Sequence, residues 1–240
     1  MKMVHSVNKL FEEISKAKKE FQERFGKEFQ ISYAKAMKDV REAMDINMFY
    51  YNWAITENMA PREYTHPYLE GFTQEQTDEY FINIFSEEER LGTEFNDIKK
   101  LVGPSWHETL DETYELILDD KFRVAIPLLV TGIEKGIKNV MDEFSDHTNI
   151  YGGALKNKVD AYLTEYQNRY EEHPYLEQFA RIISHIYRED FFENIYTREQ
   201  ISSLNRNLIS HGNDKPDEWT KRDLYQLIAF FSSTAMLLNR

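Results

Sequence analysis

At 240 residues, with 41% hydrophobic and 30% charged side chains, the chain is long enough to bury a sizeable core and too apolar to remain disordered. It contains no cysteine, which excludes disulfide staples, thiol chemistry and zinc–thiolate sites. A formal net charge of −13 at pH 7 argues against broad, non-specific nucleic-acid binding, which needs many cationic contacts, but leaves room for a small local site.

Glycine and proline are scarce, at 9 and 6 residues, so an all-α helical bundle is expected. Met1-Lys2-Met3-Val4-His5 runs straight into a charged helical pattern with no signal-peptide character. The longest apolar stretches, residues 125–130 and 227–238, are too short or too interrupted by hydroxyls to span a bilayer. A cytoplasmic protein with no membrane partner is therefore expected.

Val7, Leu10, Phe11, Ile14, Phe21 and Phe25 recur at helical spacing, with Lys16, Lys18 and Lys19 on the polar side as a solvated face. A second helix is predicted over residues 31–58, with Met44, Ile46, Phe49, Tyr50 and Trp53 in the core. Pro61 and Pro67 are expected to interrupt it and leave a loop as far as Phe72. Thr73-Gln74-Glu75-Gln76 and Ser86-Glu87-Glu88-Glu89 both match a capping box, which predicts two short helices. The carboxylate run of the second box reads as negative charge at a helix N-terminus rather than as a metal site.

Gly103-Pro104 is the candidate boundary between an N-terminal helical region, residues 1–104, with no assigned role, and a second part, residues 105–240. Ser105-Trp106-His107-Glu108 reads as a further capping box, with His107 exposed in the first turn. An apolar helix follows from Lys121 to about residue 144, which Pro127 either starts or kinks. Glu134 falls inside that apolar run, either facing the surface or supporting a neighbouring site. Two more helices are predicted over residues 155–170 and from Pro174 to about 196. His185 and Glu189 lie four apart on the second but have no third ligand at a recognised spacing, so no metal is assigned. His-Glu-x-x-His, Gly-x-Ser-x-Gly and the Gly-x-x-x-x-Gly-Lys-Ser/Thr phosphate loop are all absent. Thr197-Arg198-Glu199-Gln200 is predicted to cap the helix that carries Arg206, and a last helix spans residues 221–238.

The chemistry concentrates in Leu204-Asn205-Arg206-Asn207-Leu208-Ile209-Ser210-His211-Gly212-Asn213. Gly212 reads as the residue that ends a helix, since it takes the left-handed conformation at little cost, which puts His211 in the last turn or at the cap. Arg206 lies a little over one turn upstream. A guanidinium grips phosphate through a planar fork of donors, and an imidazole moves protons near neutral pH. Cations before a C-terminal glycine also make an ordinary helix ending, because they complement the dipole.

Arg206-Asn207-x-x-x-His211-Gly212 resembles the Arg-Asn-x-x-x-His signature of HEPN-domain proteins, and residues 119–129, ending Ala125-Ile126-Pro127-Leu128-Leu129, are similar to a helix of bacterial and phage-defence members. The resemblance covers roughly residues 105–240. It implies a HEPN-like helical domain that forms a homodimer, setting two motifs face to face in one cleft. It also implies a ribonuclease of the toxin–antitoxin or abortive-infection type that needs neither metal nor cofactor. RNA, as tRNA or mRNA, would be the substrate, with an antitoxin or regulatory protein as a further partner. In that scheme His211 is general acid or base for attack of a ribose 2′-oxygen, Arg206 stabilises the phosphorane, and Asn207 orients phosphate or imidazole. Asn205, Ser210 and Glu134 are helper candidates. Members of the family without cleavage activity serve as binding or dimerisation modules for a partner protein or nucleotide, which is the alternative function. A purely structural helical scaffold is the third.

Overall fold

A computed structural model describes residues 15–19, 26–143 and 205–238, together with the single positions 157, 161, 164 and 165. The fold is all-α, with no strand among the described residues. In chain order the helices are α1 (Lys27–Asp45, continued by a π-helical turn, Ile46–Tyr50), α2 (Pro61–Leu69), α3 (Gln74–Ser86), α4 (Glu88–Val102), α5 (His107–Leu118), α6 (Phe122–Glu143), α7 (Arg206–Ser210) and α8 (Lys221–Leu238). Apart from residues 15–19 and the four single positions, the expected helices over residues 7–25, 155–170 and 174–196, and the Thr197 cap, lie outside the described residues.

Helix α8 is the axis of the bundle. Leu224, Tyr225, Leu227, Ile228, Ala229, Phe230 and Phe231 are all buried, and a helix apolar on every side must be surrounded. It packs against α3, α4 and α6. Helix α6 approaches closely because Gly132 and Gly136 stack one turn apart on the contact face. A Cβ on Gly132 would lie 2.9 Å from the Phe231 ring, and one on Gly136 only 2.7 Å from Leu101. Glu134 is two residues from each glycine, about 200° around the helix, so α6 keeps one face for the core and turns the other outward.

One core extends from Met44 to Ala235. Gly103-Pro104 lies within it, because α4 on one side of this turn and α6 and α8 on the other pack together. Gly103 takes φ +83° and ends α4, and a 3-10 turn, Pro104–Trp106, follows.

Several local expectations are corrected. Helix α1 does not continue to residue 58. After the π-helical turn the chain leaves helix at Tyr51, passes Asn52 at φ +59°, and runs as an irregular strap with Trp53, Ala54, Ile55 and Thr56 all buried. Helix α8 fastens this strap: Gln226 Nε2 donates to the Tyr51 carbonyl at 2.8 Å, and Ser233 Oγ donates to the Ile55 carbonyl. Buried irregular backbone is tolerated only where its polar groups find such partners. Pro61 does not end a helix but starts α2, since its missing N–H falls where none is needed. Glu63 accepts from the Ala60 N–H at 2.6 Å to complete that start. The Thr73 box forms as expected, with Gln76 N–H donating to Thr73 Oγ1 at 3.3 Å and Thr73 N–H donating to Gln76 Oε1 at 2.9 Å. The other two boxes do not. Ser86 donates to the Asn83 carbonyl at the end of α3, leaving Glu87 as the uncapped start of α4. The 3-10 turn occupies Ser105, so α5 begins at His107, which is half-buried with Nε2 3.2 Å from the Lys99 carbonyl.

Candidate functional site

The motif forms a single helical turn, α7, fixed at both ends. Asn205 is fully buried and extended (φ −120°, ψ 127°), and its side-chain oxygen accepts from the N–H groups of Asn207 at 3.0 Å and Leu208 at 3.2 Å. That is an N-cap, so Asn205 acts on backbone geometry, and Arg206 is the first helical residue rather than one near the end of a long helix. At the other end Gly212 takes φ +68°. The Gly212 N–H donates to the Ile209 carbonyl at 3.2 Å, and the Asn213 N–H to the Leu208 carbonyl at 2.8 Å, which is the Schellman pattern. His211 is the C-cap, as the sequence predicted. Leu208, with no exposed surface, anchors the turn in the core.

Helix α7 packs on the outward face of α6 through Arg206 and Glu134. Arg206 Nε donates to Glu134 Oε2 at 3.2 Å, and Nη2 lies 2.8 and 2.9 Å from the two carboxylate oxygens. Each side chain is only 16% exposed. Arg206 Nη1 donates to Asn207 Oδ1 at 3.0 Å. Of the five guanidinium N–H groups, Nε–H and one from each terminal nitrogen are committed, which leaves two. The glutamate that looked misplaced in an apolar run is the anchor of this arginine. Arg206 is therefore not a freely offered fork: two of its donors remain.

His211 and Ser210 are exposed, and their side chains have no hydrogen-bond partner among the described residues. Asn207 and His211 are four apart and share a face of α7, whereas Arg206 and His211 are five apart, about 140° around the axis and about 7 Å along it. Asn207 thus lies between them, bonded to the arginine and one turn before the histidine. The structure assembles Glu134, Arg206 and Asn207 into one hydrogen-bonded array and leaves His211 open beside it.

From α7 the chain runs antiparallel to α6. Arg206 meets Glu134, Arg123 Nη2 donates to the Asp217 carbonyl at 3.4 Å, and Lys221 pairs with Asp120 at 2.7 Å. The return turn is pinned by buried Trp219, whose Nε1 donates to Asp214 Oδ2 at 3.0 Å. Helix α8 then opens on a box that the sequence reading missed, with Thr220 N–H and Oγ1 both donating to Asp223 Oδ2 at 2.8 Å. Its signal, Thr220-Lys221-Arg222-Asp223, was present in the sequence.

A second polar cluster, also missed, lies in the core. Glu94 has no exposed surface and accepts from Thr56 Oγ1 at 2.8 Å, from Asn58 Nδ2 at 3.0 Å and from Ser232 Oγ. Burial pushes its carboxyl above the ordinary value, against the opposing pull of those hydrogen bonds and of Arg90. Asn58 Nδ2 also donates to Asp97 at 2.9 Å, and Arg90 pairs with Glu63 at 2.8 Å. Every polar group in it is matched within the bundle, so the cluster ties the strap to α4 and α8.

Among the described residues no group of three or more His, Asp or Glu is placed to hold a metal ion, and no helix is long and apolar enough to cross a membrane. No protein-family model, curated protein or solved structure matches the chain.

Proposed function

We propose that this chain is a metal-independent endoribonuclease of a cytoplasmic phage-defence or toxin-type system, with a HEPN-like domain and His211 as its proton-transfer group. The observation that carries the proposal is the array itself. An exposed imidazole stands at a rigid, glycine-terminated cap, one turn from an asparagine bonded to an oriented guanidinium. The imidazole removes the proton from a ribose 2′-hydroxyl, and the 2′-oxygen attacks the adjacent phosphorus. The bond to the 5′-oxygen breaks, that oxygen takes a proton from the facing imidazole of a second copy, and a 2′,3′-cyclic phosphate and a 5′-hydroxyl result. The two uncommitted N–H groups of Arg206 stabilise charge on the non-bridging oxygens. Because Arg206 and His211 diverge around one helical turn, a homodimer is part of the proposal, with a second copy supplying the facing histidine. An antitoxin or regulatory protein would restrain the activity.

The Glu134 pairing favours a second reading, a non-catalytic binding or dimerisation module. A carboxylate that already neutralises the arginine lowers its value to a phosphate and raises its value as architecture. Expression in cells and RNA cleavage in EDTA separate the two. The ribonuclease slows growth and cleaves RNA, and His211→Ala abolishes both while leaving the unfolding midpoint unchanged. Wild-type protein that is harmless and leaves RNA intact supports the binding module.

A further inference from the structure

We propose that Arg123 is a second phosphate contact of the same site, holding a single-stranded RNA by a backbone phosphate a few nucleotides from the scissile one; this rests on the ribonuclease reading. Arg123 precedes Glu134 by eleven residues on α6, which places it on the same side of that helix, within about 20°, and about 16 Å toward its N-terminus. Arg206 meets Glu134 and the Asp217 carbonyl meets Arg123, so the chain from the motif to residue 217 passes along this side of α6 toward Arg123. Four other cations near it are each paired with a carboxylate: Lys121 with Asp119 at 2.8 Å, Lys215 with Glu218 at 3.0 Å, Lys221 with Asp120 at 2.7 Å and Arg206 with Glu134 at 2.8 Å. Arg123 is exposed and has no carboxylate partner among the described residues. Its one hydrogen bond, to the Asp217 carbonyl, is long at 3.4 Å, and its guanidinium lies 5.3 Å from the centre of the Phe122 ring. A cation held over an aromatic ring, with most donors free, is suited to a phosphate oxygen and to an unpaired base stacked alongside. The net charge of −13 makes such a contact matter, because little else on this edge offsets repulsion of a polyanion.

The test is binding of a fluorescent single-stranded 2′-O-methyl RNA, which lacks the attacking hydroxyl and reads binding without cleavage. Wild type, Arg123→Gln and Arg123→Lys are compared over a range of salt, with unfolding midpoints as a fold control. The expected result is roughly tenfold weaker binding by Arg123→Gln at low salt. Its plot of log affinity against log salt should be shallower by about 0.7, the contribution of one single-strand phosphate contact, with the slope restored by Arg123→Lys. Equal affinity and slope for wild type and Arg123→Gln, or no binding by wild type, overturns the proposal. Arg123-dependent binding by a protein that fails to cleave ordinary RNA upholds this contact and removes the ribonuclease reading alone.

Discussion

Replacing Glu134 tests the organisation of the site most simply, because the change reaches the motif without touching it. The carboxylate takes the Nε–Nη2 edge of the Arg206 guanidinium at 2.8 to 3.2 Å, and both side chains are 16% exposed. Breaking a fully buried pair by removing one partner costs about 3–5 kcal/mol, since the surviving charge is left without compensation. Water still reaches a part of this pair, and Asn207 keeps its bond to Nη1, so Glu134→Gln is expected to cost about 2 kcal/mol. Arg206→Gln should cost a similar amount. If the two groups owe that cost to each other, the double variant is less destabilised than the sum of the singles, with a coupling of about 1.5 kcal/mol. Urea unfolding of the four proteins at pH 7, extrapolated to water, measures it. The coupling should survive 1 M salt, which screens exposed charges but reaches a largely covered pair poorly. Additivity within about 0.5 kcal/mol would refute the claim that Glu134 holds Arg206.

Other consequences follow from packing and burial. Gly136→Ala places a methyl 2.7 Å from Leu101 Cγ and 3.2 Å from the Phe231 ring, so about 1 kcal/mol of helix propensity is outweighed by an overpacking cost of about 1–3 kcal/mol. Gly92→Ala, whose Cβ meets only the Tyr114 hydroxyl at 3.7 Å, should instead be neutral or stabilising in the same unfolding assay. Glu94 gives a pH signature opposite in sign to ordinary acid denaturation. Its folded-state value is raised by burial, so the native protein binds more protons than the unfolded chain once pH exceeds the unfolded value. Its contribution is full below an unfolded value of about 4.3 and is lost as pH rises through the folded one. The stability of wild type minus that of Glu94→Gln should therefore fall as pH rises above the unfolded value, and a difference that rises would contradict the burial argument.

The parts of the fold that the sequence discloses are those governed by local periodicity and capping. Helix α8 runs over Lys221–Leu238 as predicted, α6 differs from its expected span by about a residue at each end, and Gly212 closes the motif. Departures occur where tertiary partners decide. Trp53, Ala54 and Ile55 extend an apolar pattern that reads as helix, yet Gln226 and Ser233 hold that segment as a strap. Their hydrogen bonds span 175 and 178 residues, beyond the reach of any local pattern. Pro61 has two meanings, helix end or first helical turn, and the carboxylate of Glu63 selects the second. In the site, Glu134 stood out as a charge among apolar neighbours, but that Arg206 would be its partner, 72 residues away, was written nowhere in the spacing. Asn205 looked like a chemical helper, and its burial and two backbone contacts make it the cap that defines the turn.

The most direct measurement of the central claim is the end chemistry of RNA exposed to the purified protein in EDTA, with His211→Ala beside it. The account predicts fragments ending in 2′,3′-cyclic phosphate and 5′-hydroxyl from wild type and intact RNA from the variant. Fragments ending in 3′-hydroxyl, or equal cleavage by the two proteins, would contradict it.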